Sequence, residues 1–178
     1  MYLSANFFNV RSKLQIFLLA AIIGVALYSC IEQREYPLEP AIKYKSFTTV
    51  KSIAGHDSIG FLTIEFTDGD GDVGLSQTDT LAPYNPGSTY YYNFFITFSQ
   101  KIDGDFQEIT TPYNSRIPDV NPEHIDKDLM GDITIEIDLN ILSLVLSSDV
   151  IKMKAYMVDR ALHESNTIET PAITLDLP

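Results

Sequence analysis

The residues best placed to do chemistry are Asp68, Asp70 and Asp72, in the run Phe66-Thr67-Asp68-Gly69-Asp70-Gly71-Asp72-Val73-Gly74-Leu75. Three carboxylates stand at alternate positions, separated by glycines that let the backbone turn tightly. Such a loop curls so that its oxygens converge, which suits a hard cation such as Ca2+ that takes about six to eight oxygen ligands. The same residue types also form a plain turn without any ion, because aspartate side chains bond backbone N–H groups a few residues on. Both readings stand from the sequence.

The spacing matches an EF-hand loop only in part. Asp68, Asp70 and Asp72 fall on its first three ligand positions, but Val73 stands where the turn glycine belongs and Asp79 where the closing glutamate belongs. No helix-forming pattern flanks the loop, so the EF-hand itself is excluded. Other chemistry finds little footing. His56, His124 and His163 share no metal-ligand spacing, and one cysteine, Cys30, leaves no thiol for a Cys-His dyad beyond the leader. His56-Asp57-Ser58 has the residue types of a hydrolase triad, but three neighbours in a turn rarely reach one substrate. That segment is expected to be a turn.

Period-two alternation supplies the elements that must hold the loop. Leu62, Ile64 and Phe66 alternate with Thr63, Glu65 and Thr67; Ile133, Ile135, Ile137 and Leu139 alternate with Thr134, Glu136 and Asp138. Each is a strand with one wet face. Tyr90 to Ser99 and Ile151 to Met157 are expected as central strands. Asp103-Gly104 between two alternating runs predicts a two-residue type I′ hairpin. Strands at Ile42 to Val50, Thr167 to Ile168 and Ala172 to Leu177 complete the set, with a short helix or buried connection at Leu139 to Leu146. Short strands, frequent turns and no long helix predict an all-β fold: a single antiparallel β-sandwich over residues 41–178. The missing tryptophan and second cysteine favour a fibronectin-like or other immunoglobulin-like sandwich packed by Tyr, Phe and Ile.

In that topology the strand ending at Thr67 and the strand ending at Val158 run the same way, so their following loops emerge at one end. Asp159, with Glu164 as a further candidate, is therefore expected to approach the Asp68 to Asp72 loop. The tyrosines Tyr84, Tyr90, Tyr91, Tyr92 and Tyr113 fit a stacking platform for a glycan or peptide, or else core and edge packing.

The first thirty residues read as a targeting segment. Arg11 and Lys13 precede an apolar stretch from Ile16 to Tyr28. As a helix that stretch rises only about 20 Å, against the ~30 Å of hydrocarbon a spanning helix must cross. It ends Leu27-Tyr28-Ser29-Cys30, the pattern of a lipoprotein signal peptide: residues 1–29 are removed and Cys30 becomes the lipid-bearing N-terminus. A lone cysteine in an oxidising compartment has no internal disulfide partner, which fits lipidation. Residues 30–40, polar and stiffened by Pro37 and Pro40, read as a tether. Twelve basic against 24 acidic residues give a net charge of −12, which disfavours nucleic acid and favours cations.

With the leader, Phe66 to Leu75 and Val158-Asp159-Arg160-Ala161-Leu162-His163-Glu164-Ser165-Asn166-Thr167-Ile168-Glu169-Thr170-Pro171 make the chain similar to a group of small Bacteroidota lipoproteins. In those, an Asp-Gly-Asp-Gly-Asp loop follows an early strand, and a segment like Asp-Arg-Ala-x-x-x-Ser-Asn leads into the last strands. The resemblance implies a lipid anchor in the outer membrane, facing either the periplasm or the cell surface, and an immunoglobulin-like sandwich. It carries no activity with it. The expected function is a non-catalytic binding or envelope-structural module, attached to the membrane by its N-terminal lipid, with an envelope protein or glycan as partner and Ca2+ as its one candidate cofactor. The alternative is a hydrolase or carbohydrate-processing accessory protein using the loop carboxylates.

Overall fold

In the computed structural model, the described residues are Gln15, 36–125 and 127–178; the expected leader and Cys30 lie outside them. The described chain forms two antiparallel sheets packed face to face, the β-sandwich expected from the alternation. Strands β1 (Ala41–Lys51), β2 (Asp57–Asp68) and β6 (Leu129–Asp138) make the first sheet, in the order β1-β2-β6. The second is built on β3 (Phe94–Ile102) and β7 (Val150–Met157), paired from Phe94↔Met157 to Gln100↔Ile151. Strands β4 (Asp105–Glu108) and β5 (Tyr113–Ser115) share the free edge of β3, while β8 (Ile168–Glu169) and β9 (Ile173–Thr174) share that of β7.

The inward positions are those the period of two selects. Leu62, Ile64, Phe66, Ile133, Ile135 and Ile137 face Phe94, Ile96, Phe98, Ile151, Met153 and Met157 in one buried cluster. Each such side chain contributes about 1.5–3 kcal/mol by leaving water, so the register is strongly fixed: a one-residue slip would turn the whole set outward. Asp138 accepts from the backbone N–H groups of Asn140 and Ile141, capping the short helix α1 (Leu139–Ser143). The hairpin between β3 and β4 turns on Asp103 (φ 51°) and Gly104 (φ 99°), the positive pair a type I′ turn requires. Among the described residues no helix is long and apolar enough to cross a membrane.

Tyr113 ties the sheets together. Its ring meets Phe98 edge-on at 6.0 Å, and its hydroxyl donates to the Glu136 carbonyl (3.0 Å) and accepts from the Asp138 N–H (3.3 Å). Tyr113→Phe is expected to cost about 1 kcal/mol in urea unfolding with an unchanged m-value, since two partly exposed backbone groups return to water; a cost above about 3 kcal/mol would mean the hydroxyl organises more than these two bonds.

The register gives the sandwich two unlike poles. Asp68 lies opposite Leu129, Ala41 opposite Thr67, and Phe94 opposite Met157. The starts of β1, β3 and β6 therefore gather with the ends of β2 and β7. The long connections 69–93, 116–128 and 158–167 all open at this pole, whereas the other carries the 52–56 turn, the 103–104 turn and α1. Loops on a rigid frame are where binding concentrates.

Candidate metal centre

Asp68 is the last residue of β2 and is fully buried. Its Oδ2 accepts the N–H groups of Gly71 (2.8 Å) and Asp72 (3.1 Å), which closes the loop on its own carboxylate and leaves Oδ1 facing away from the backbone. Asp72 is then held from the other side. Its Oδ2 accepts Ala161 N–H (2.8 Å) and its carbonyl accepts Arg160 N–H (3.2 Å). Those bonds dock the 158–167 connection onto the acidic loop and bring in Asp159, which is 2% exposed.

One carboxylate oxygen from each of Asp68, Asp72 and Asp159 lies within 4.8 Å of the other two. This is the convergence expected at one end of the sandwich. Asp70 stands outside the tight trio and lines an adjoining cleft of about 460 Å3 with Gly71, Asp72, Asn121, His124 and Arg160. Asp68 Oδ1, Asp70 Oδ1 and Asp72 Oδ1 are buried, and none has a hydrogen-bond partner among the described residues. A buried oxygen left without a donor is costly.

The electrostatics agree. Burial away from water pushes the Asp68 carboxyl up to about 7; the loop's N–H groups oppose that shift, and repulsion from Asp72 and Asp70 adds to it. Burial likewise raises Asp72 to about 6, helped by the negative charge of Asp159 and Asp70. Asp159 is also raised by burial, against the pull of His163, whose N–H donates to Oδ1 (2.8 Å) and whose Nδ1 lies 2.9 Å from Oδ2. The three shifts share one leading cause, the removal of crowded carboxylates from water.

Glu164 does not join them. It is exposed and its backbone bridges to Val158, while His163 is the residue that bonds Asp159. Asp79, the residue at the twelfth loop position, is committed elsewhere: it accepts Ser76 N–H (2.7 Å) and pairs with Arg160 Nη1 (2.9 Å). Arg160 Nη2 meets Asp119 at 3.2 Å, so this guanidinium clips the 76–79 and 118–121 segments together. Asn121 holds the loop from the third side, donating to the carbonyls of Gly71 (2.9 Å) and Ile125 (2.8 Å). His163 lies four residues beyond Asp159, a spacing visible in the sequence; Arg160 and Asn121 gave no such signal.

The other sequence candidates resolve as structure. His56 meets Asp176, Asp57 accepts from Thr49 and from Asp176 N–H, and Ser58 donates to the Val50 carbonyl, so the three do not converge. Two of the five tyrosines are engaged apart from the rest: Tyr84 bonds the Arg160 carbonyl and Tyr113 packs on Phe98, whereas Tyr91 lies under the Arg116 guanidinium (5.1 Å) and meets the exposed Tyr92 edge-on at 5.0 Å. Comparison with known proteins adds no relative: no family model, curated protein or solved structure matches the chain.

Proposed function

We propose that this protein is a lipid-anchored, cation-binding module of the bacterial outer membrane, and that its acidic pole holds Ca2+. The observation carrying this reading is the set of three buried aspartate oxygens, on Asp68, Asp70 and Asp72, that lack a hydrogen-bond partner among the described residues beside Asp159. An all-oxygen donor set of aspartates suits a hard cation and offers nothing to a soft one. Asp68, Asp72 and Asp159 would supply the protein's oxygens, with Asp70 on the cleft side. The division of strands into β1-β2-β6 and a sheet built on β3 and β7 supports the immunoglobulin-like reading. The leader and Cys30 support the lipid anchor, and with the loop they support kinship with the Bacteroidota lipoproteins.

We read the module as non-catalytic. Asp68 and Asp159, the deepest carboxylates, are 0% and 2% exposed, out of reach of a substrate in the cleft. Two measurements test the reading. Millimolar Ca2+ should raise the melting temperature by several degrees and a chelator should reverse it; no shift in either direction would remove the cation site. A fatty-acid probe should label the wild-type product and leave Cys30→Ala unmarked; equal labelling would remove the anchor.

A further inference from the structure

We propose that the acidic pole faces the bilayer and that its bound cation docks it onto the phosphates of anionic phospholipid head groups. This rests on the cation site and lipid anchor proposed above, and adds the orientation of the domain and the partner of the site.

The first support is where the chain outside the described residues must lead. The continuous described stretch of the domain begins at Tyr36, at the acidic pole. The backbone there runs across Gly69, where a Cβ would fall 2.6 Å from the Pro37 carbonyl oxygen, so glycine is what lets the two segments meet. Tyr36 N–H also donates to Asp128 Oδ1 (3.4 Å), and its hydroxyl reaches Met130 Sδ (3.5 Å). The last residues of the expected tether are thus packed against the acidic loop. Six residues separate Tyr36 from Cys30, a span of at most about 20 Å even fully extended. A lipid on Cys30 therefore keeps this pole, and not the opposite one, near the head groups.

The second support is the surface around the site. Leu38 (54% exposed), Leu81 (81%), Val120 (38%), Ile125 (47%) and Met130 (58%) lie on the segments that surround the acidic loop. Exposed apolar side chains suit contact with a bilayer interface; Ile53, Ile141 and Leu144 are exposed towards the other pole as well, so it is the tether that selects the acidic pole. The third is chemistry. The cleft opens beside Asp70 and Asp72, so a cation on Asp68, Asp72 and Asp159 would present its remaining coordination positions there, and phosphate oxygens are the hard ligands such positions take. Without the ion, a chain of net charge −12 is repelled by an anionic leaflet; with it, two positive charges offset part of the acidic pole's charge at the one point where phosphate oxygens can ligate the ion.

The chain has no tryptophan, so a single introduced one reports cleanly. Ile125→Trp places it at the acidic pole and Ile53→Trp at the other, both on exposed positions that leave the core untouched. The lipid-bearing protein, as purified from the membrane, is reconstituted into phosphatidylglycerol vesicles with brominated acyl chains, and fluorescence is read with millimolar Ca2+ and with chelator. Ile125→Trp should be quenched about twofold by Ca2+ and recover with chelator, Ile53→Trp should not respond, and phosphatidylcholine vesicles should give no Ca2+-dependent quenching. Equal Ca2+-dependent quenching at both positions, or in phosphatidylcholine, overturns the proposal. So does inorganic phosphate that tightens Ca2+ binding as much as the vesicles do, which would assign the site to free phosphate. Calorimetry without lipid separates the two levels: Ca2+ binding with no quenching sinks the docking alone, whereas no Ca2+ binding sinks the cation site and the docking with it.

Discussion

An Asp68→Asn chain should lose its response to Ca2+ and, in chelator at neutral pH, melt higher than the wild type. Asparagine keeps one oxygen for the N–H groups of Gly71 and Asp72, so the turn survives. What it removes is a buried charge next to Asp72 and Asp70, whose repulsion the metal-free protein must tolerate. What it presents to the ion is an amide N–H2 in place of Oδ1, and Ca2+ affinity should fall by about 100-fold or more. Opposite signs in the two states are the diagnostic feature. If the loop were only a turn, Asp68→Asn would leave the melting temperature indifferent to Ca2+ in both chains. The measurement is a pair of thermal melts for each chain, in chelator and in millimolar Ca2+, with calorimetry for the affinity.

The metal-free domain should become less stable as pH rises from 4 to 7. The folded-state carboxyls of Asp68 and Asp72 sit at about 7 and about 6, above their unfolded values. Between the two values the folded state holds protons that the unfolded chain has released, so each unit of pH shifts the balance toward unfolding. His163, raised by its bond to Asp159, acts with the same sign: its stabilisation is complete at low pH and is lost as pH climbs through its folded value. Asp176 and Glu169 are lowered by Lys51 and Lys152, so their contribution fades only below the unfolded carboxylate range, outside this window. In chelator the melting temperature should fall by roughly 5 °C or more between pH 5 and pH 8. Saturating Ca2+ should flatten or invert the slope, because ion and proton compete for the same oxygens and the ion wins as pH rises. A melting temperature that rises with pH in chelator would contradict the burial of these acids.

The strands were legible wherever one face is wet. Leu62, Ile64 and Phe66 fixed the face of β2, and Ile133, Ile135 and Ile137 that of β6, because alternation survives only where the outer face needs polar residues. The aromatic run was harder. Tyr90 and Tyr92 continue the alternation of Phe94, Ile96 and Phe98, yet Thr89–Tyr91 is a 3-10 turn and β3 begins only at Phe94. Arg116 takes the Tyr91 carbonyl (2.6 Å), and buried Asn93 pairs with both backbone groups of Ile117. These long-range bonds have no local sign in the sequence. Strand β5 was hidden for the same reason: three residues carry no measurable period, and their pairing with β3 is decided by the core behind them. The acidic site was half legible. Asp68, Asp70 and Asp72 announce themselves by spacing, and Asp159 followed from strand directions. Glu164 was misplaced because one residue more or less in a tight turn decides which side chain looks inward, and there the turn chose His163.

Asp159 lies far along the chain from Asp68, and the bonds from Ala161 and Arg160 to Asp72 join the two. The trio of oxygens is therefore the joint work of two segments, around Asp68 to Asp72 and around Asp159, that are far apart in the sequence. A polypeptide cut short before Asp159 keeps the local turn at Asp68 but never assembles the cluster. Possession of the site thus certifies that the chain has been made past Ala161 and that the segment following β7 has docked.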